Sequence, residues 1–131
     1  MYICKKEKMK QLENKLKQLI DNHNRPFKHL REKYDADLIG LVKTHLKEEF
    51  ISVDINQVTI NKNNKLGKHK HLKQQPVSYG YVFGNFTDGE LVAEDETIAL
   101  RNKWFQFDGT KEHYVKEFKG DRYSLIAYKR K

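Results

Sequence analysis

The hydrophobic period of this chain changes at Phe50. Before it, apolar residues recur every three or four positions; after it, they alternate with polar ones. A chain divided in this way builds helices first and strands afterwards. That restricts it to a sandwich or barrel of short strands flanked by helices.

In the first part, KKEKMKQLENKLKQLID places Met9, Leu12, Leu16 and Leu19 on one helical face, with Ile20 beside them. The helix spans residues 5–21, and its apolar face fits packing on the domain. The same spacing fits a dimerising seam, but under two heptads do not hold a dimer unaided. Asp21 to Pro26 breaks the pattern. Leu30, Tyr34, Leu38, Leu41, Val42, Leu46 and Phe50 then predict a second helix from about Pro26 to Phe50. His23, His29 and His45 fall in this part and read as surface residues.

In the second part, Ile51–Ile55, Gln57–Asn61, Val77–Phe83, Leu91–Ala93, Thr97–Leu100 and Trp104–Phe107 have strand character. His113-Tyr114-Val115 and Arg122–Tyr128 complete about eight strands, with turns at Thr87-Asp88-Gly89-Glu90 and Asp108-Gly109. The 131 residues suit one domain, with residues 1–50 as a helical flank and 51–131 as the strand core. The single Cys4 excludes an internal disulfide. No apolar run approaches the roughly 18 residues of a membrane span, and the start MYICKKEKMK turns charged at once. The expectation is an intracellular, cytoplasmic protein. A net charge of +8 and a pI near 9.5 favour polyanionic partners, nucleic acid first.

Three histidines and one arginine carry the chemistry. In an extended segment, His69-Lys70-His71 puts two imidazoles on one side, and His113 is a third from a distant strand. Imidazole suits zinc, iron, copper and nickel, so ligand type alone does not name a metal. The alternative for His69 and His71 is a solvated basic loop. Arg122 and Ser124 share a strand face at i and i+2 and can reach one anion together.

The order of these pieces resembles the double-stranded β-helix of iron(II)- and 2-oxoglutarate-dependent oxygenases. The matching segments are VTINKNNKLGKHKH, VSYGYVFGNFTDGELV, FQFDGTKEHYV and FKGDRYSLIAY. The run F-D-G, then histidine, then G-D-R-Y-S-L is the most specific. The chain looks closest to viral, phage and protist members related to thymine- and methylcytosine-hydroxylating enzymes. The resemblance implies an α+β fold, with two N-terminal helices packed on a jelly-roll or cupin-like barrel. It implies Fe(II) as metal, 2-oxoglutarate as cosubstrate and hydroxylation of a C–H bond, with a nucleic-acid base as the suggested substrate. It extends the expected location to a virus-infected host cell.

Position by position, the resemblance makes His69 the first iron ligand and His113 the distal one. Arg122 and Ser124 hold the far carboxylate of 2-oxoglutarate, and Tyr79 and Asn61 line the pocket. The family's carboxylate ligand falls at position 71, where this chain has His71. The spacing to the flanking motifs is kept through His71 without a gap, which favours it over Asp88, Asp95 or Asp108 as the third ligand. Two further readings stay open. One is an oxygenase-like barrel without turnover that binds nucleic acid, protein or a small anion, with Lys62, Lys65, Lys68, Lys70 and Lys73 around its mouth. The other is a cupin-like metal protein without 2-oxoglutarate, against which the Arg122-Ser124 pair argues.

Overall fold

The computed structural model describes residues 4–65 and 67–131. Its elements run α1 (Lys5–Ile20), β1 (Phe27–Arg31), α2 (Ala36–Lys47), β2 (Gln57–Lys62), β3 (Gln74–Asp88), β4 (Leu91–Ala93), β5 (Glu96–Ile98), β6 (Trp104–Asp108), β7 (His113–Val115) and β8 (Phe118–Arg130). They form two antiparallel sheets. The larger has the strand order β1-β2-β8-β3-β6, the smaller β5-β4-β7.

Alternation divides the larger sheet into two working faces. On β8, Tyr123, Leu125 and Ala127 point to the helices, while Arg122, Ser124, Ile126 and Tyr128 line a cavity on the other side. Leu12, Leu16 and Ile20 of α1 and Ile39, Val42 and Leu46 of α2 complete the helix-side core over Val58, Ile60 and Tyr81. Tyr81 also donates its hydroxyl to the Glu13 carboxylate at 2.7 Å, which fixes α1 against β3. Val82, Phe86, Leu91, Phe105 and Phe118 form a second, smaller cluster between the sheets.

Register turns the cavity face into rows. Phe27, Asn61, Ser124 and Val82 lie opposite one another across β1, β2, β8 and β3. The next row is His29, Thr59, Ile126, Gly80 and Phe105. The third is Arg31, Gln57, Tyr128, Ser78 and Phe107. Gly80 is a glycine because the Phe105 ring occupies its side-chain space: a Cβ there would meet that ring. Gly80→Ala should therefore destabilise the fold by about 1–3 kcal/mol, the range for overpacking a filled core. Denaturant unfolding of the two proteins checks this, and an unchanged midpoint would show that Phe105 moves freely.

Three expectations change. Residues 27–31 form an edge strand, not the start of the second helix, which begins at Ala36. Ile51–Ile55 is not a strand: it has no paired neighbour, and Ile51 is fully exposed while Ile55 is buried. His45 is not at the surface, being 7% exposed within α2. The helix at the N-terminus is as expected, and its apolar face packs on the domain. No helix among the described residues is long and apolar enough to cross a membrane.

Candidate metal and anion site

The cavity face of the larger sheet and the inner face of the smaller one enclose about 600 Å³. β7 brings His113 to this space. The loop between β2 and β3 brings His69 and His71. His69 and His113 form an isolated antiparallel bridge, with reciprocal N–H to carbonyl bonds of 3.0 and 2.9 Å. The His71 amide donates to the Gly109 carbonyl at 3.0 Å, next to the Asp108-Gly109 turn. Three backbone bonds thus set the imidazoles side by side without help from their rings.

The ring centroids are 4.2 Å apart for His69 and His113, 4.9 Å for His69 and His71, and 5.5 Å for His71 and His113. One ring nitrogen from each lies within 4.8 Å of the other two. Among the described residues this is the one group of three or more such donors. His69 Nδ1 is 2.7 Å from the Gly67 carbonyl and His113 Nδ1 is 2.8 Å from that of Lys111. A carbonyl only accepts, so both rings carry their proton on Nδ1 when neutral and keep the Nε2 lone pair free. Burial holds the His113 imidazole below its ordinary range, reinforced by His69 and opposed by the Lys111 carbonyl and Asp108. His71 is also held low, by burial first and then by His69 and His113, although its outer side is open to solvent.

Arg122 is 5% exposed and meets no carboxylate among the described residues. Its Nε donates to the Gly89 carbonyl at 2.9 Å, and its guanidinium faces the rings of Phe86 and Phe118 at 5.8 and 6.0 Å. Gly89, at φ +76°, makes room: a Cβ there would lie 2.9 Å from Phe118 Cβ and 3.2 Å from Arg122 Cδ. Burial lowers the Arg122 pKa to about 10, with nearby Arg101 adding to the effect and Glu90 opposing it. The group remains a cation at neutral pH, buried and without an anion. Such a charge is costly unless something pairs with it. Ser124 shares its face, and Asn61 Nδ2 donates to Ser124 Oγ at 3.2 Å. Asn61 is itself held by Asn64, whose Nδ2 donates to Asn61 Oδ1 at 2.9 Å.

His69, His71, His113, Arg122, Ser124 and Asn61 therefore share one cavity. Tyr79 does not. It points to the helix side, where its hydroxyl donates to the Ser52 carbonyl at 3.0 Å and its ring lies 5.0 Å from Phe50. Parity explains this: Val82 pairs with Ser124, so even-numbered residues of β3 face the cavity there and Tyr79 faces away. Of the basic loop residues, Lys70 and Lys73 line the cavity, whereas Lys62 pairs with Asp21 at 2.9 Å and Lys68 lies 4.0 Å from Glu112. Asp108 is engaged by the Thr110 amide and hydroxyl, at 2.9 and 2.5 Å, and stands outside the histidine group. The cavity also holds His29, Gln57, Thr59 and Tyr128, which sequence reasoning did not select. Only His29 was hidden by the helical period of residues 27–31; Gln57, Thr59 and Tyr128 lie on segments that read as strands, on the faces of Asn61 and Ser124, and alternation was the available signal.

No family model matches the chain, and no curated protein matches it by sequence. Solved structures do. NgTET1 in complex with 5mC DNA superposes with a TM-score of 0.68 at 15% identity, over 96% of this chain and 69% of that one. A prolyl-4-hydroxylase from Pseudomonas putida gives 0.53 at 10% identity, over 95% and 81%. An oxidoreductase of the 2OG-Fe(II) oxygenase family from Burkholderia pseudomallei gives 0.51 at 17% identity, over 72% of this chain and 52% of that one. The chain thus spans about half the length of the Burkholderia protein. The fold is the α+β jelly roll that these solved structures share.

Proposed function

We propose that the protein is an Fe(II)- and 2-oxoglutarate-dependent oxygenase that hydroxylates a C–H bond, with a nucleic-acid base as its substrate. His69, His71 and His113 are the metal ligands. One observation carries this reading: a cluster of three imidazoles, two of them with the Nε2 lone pair free, and a buried guanidinium with no acid partner among the described residues share one cavity.

The donor set fits a divalent first-row ion, which imidazole nitrogen suits. Iron(II) with 2-oxoglutarate, when bound, would supply the oxidising power: one atom of O₂ would enter succinate as the keto acid loses CO₂, and the other would enter the substrate C–H bond. The chain's own residues do the rest. The Gly67 and Lys111 carbonyls fix the two ring orientations, as outer partners of metal-binding histidines commonly do. Arg122 offers a planar fork to a carboxylate, and Ser124, oriented by Asn61, adds a hydroxyl to the same oxygen atoms. Phe86 and Phe118 keep water from that end. The net charge of +8 and the likeness to NgTET1, solved with 5mC DNA, support a nucleic-acid base as the group attacked. A base in a duplex has to leave the stack to enter such a cavity.

Among the described residues the histidine group includes no carboxylate, which favours a second reading, a barrel that binds its ligands without turnover. Anaerobic titration with Fe(II) and then 2-oxoglutarate tests the first. The expected result is a weak visible charge-transfer band, followed in air by succinate. Neither band nor succinate, with or without nucleic acid, would sink the oxygenase reading.

A further inference from the structure

The cavity has a second end, remote from Arg122. Four residues along β8 from Ser124, about 13 Å at the rise of a strand, Tyr128 stands in a row with Gln57 and Arg31. The histidine group hangs over this end. His113 packs on Phe107 of that row at 5.4 Å, and Gly109, which holds the His71 amide, sits against Gln74 and Ser78. The region beside it is the part of the cavity left for a substrate.

Its wall is a hydrogen-bonded chain across three strands. Gln57, 4% exposed, donates Nε2 to the Tyr128 hydroxyl at 2.7 Å. That hydroxyl lies 3.2 Å from Thr59 Oγ1, which lies 2.8 Å from His29 Nδ1. The Gln57 amide oxygen has no partner among the described residues, and Phe27 flanks the wall with its ring 5.2 Å from that of His29. Around it the charge is one-sided. Arg31, Lys70, Lys73 and Arg130 line the cavity, no aspartate or glutamate does, and none of their side-chain cations has a carboxylate oxygen within 4.0 Å among the described residues, the nearby Asp35 carboxylate accepting instead from the Arg31 backbone amide at 3.3 Å. The His29 imidazole, bonded through Nδ1 to Thr59 Oγ1, adds a further polar group to the wall; burial, then Arg31 and Arg130, lower its pKa although one side of the ring stays exposed.

We propose that this β1–β2–β8 wall is the substrate subsite. Gln57 and the shared Tyr128 hydroxyl read the edge of a planar heterocycle, and Arg31 and Arg130 hold the phosphates attached to it. The chemistry fits one nucleotide of a single strand: mixed donors and acceptors for the ring edge, cations without acids for the backbone. The assignment rests on the oxygenase reading for its substrate class, but binding at the wall needs neither metal nor cosubstrate.

The test is fluorescence anisotropy of a labelled single-stranded 12-mer with the metal-free protein over a salt series. The double variant Arg31→Ala/Arg130→Ala is set against Lys10→Ala/Lys15→Ala, which removes the same charge from the exposed face of α1. The expected result is at least about a tenfold loss for the first and less than about twofold for the second. The salt slope should fall by about 1.4 in the first, at about 0.7 per phosphate of a single strand. Tyr128→Phe, which keeps the ring and deletes the shared hydroxyl, should cost about fivefold, as one hydrogen bond of about 1 kcal/mol does, with the slope unchanged. Equal losses in the two double variants, unchanged affinity in Tyr128→Phe, or no binding at low salt would each overturn the subsite. Succinate formed by a protein that does not bind the strand would leave the oxygenase reading standing. Strand binding without succinate would do the reverse.

Discussion

Arg122→Ala is expected to weaken 2-oxoglutarate binding by about 100-fold while leaving metal affinity within about twofold. Truncating one partner of a buried, hydrogen-bonded charge pair costs about 2–5 kcal/mol, and each 1.4 kcal/mol is a factor of ten. Arg122 meets the conditions for a loss within this range, being 5% exposed with no competing carboxylate among the described residues. Metal affinity should hold because no bond runs from Arg122 to His69, His71 or His113 among the described residues. Arg122→Lys should fall between the two, since an ammonium keeps the charge and loses the fork. Folding itself should not suffer in the alanine variant, because an unpaired buried cation is a cost in the ligand-free protein.

The same residue sets the expected pH dependence. With its pKa near 10, Arg122 is charged throughout the neutral range. The cation is the form that binds a carboxylate, so affinity should be flat across pH 6–8 as far as Arg122 is concerned. Binding the anion favours the cation further, so no loss from Arg122 is expected up to about pH 10. Calorimetric titration of metal-loaded protein over this range tests this, and a loss centred near pH 7 would assign the carboxylate to another group.

The pairing of the candidate site residues is legible in the sequence because it is written in short-range order. His69 and His71 stand two apart, as do Arg122 and Ser124, and strand alternation alone puts each pair on one side. What alternation cannot supply is a partner strand. Ile51, Val53 and Ile55 alternate as well as any segment here, yet no neighbour pairs with them and they form no strand. The reverse holds for residues 27–31. Only Leu30 is buried there, too little for a strand signal, and the segment is a strand because β2 offers it an edge in register. Missing that edge strand hid His29 and Arg31, the β1 part of the far wall of the cavity. Tyr79 failed for another reason. Its own strand was read correctly, but its facing depends on which residue of β8 lies opposite, a long-range fact.

The second large effect is expected at His71, and its sign decides what kind of protein this is. His71→Ala should weaken Fe(II) binding by more than about 10–100-fold, the loss found when only the outer partner of a metal ligand is removed. His71→Asp should recover that affinity, because a carboxylate adds attraction for a divalent cation that a neutral imidazole lacks. The 4.8 Å grouping of ring nitrogens underlies both expectations. Unchanged affinity in His71→Ala would remove His71 from the ligand set and leave a two-histidine site. Anaerobic titration of the three proteins, followed by succinate measurement in air, separates the remaining cases. A charge-transfer band and succinate in the natural protein mean that three neutral ligands suffice for turnover. A band confined to His71→Asp means that the cavity keeps the grip of Arg122 without the chemistry. The acid-free wall of Arg31, Gln57 and Tyr128 would then be the working part of a binding scaffold.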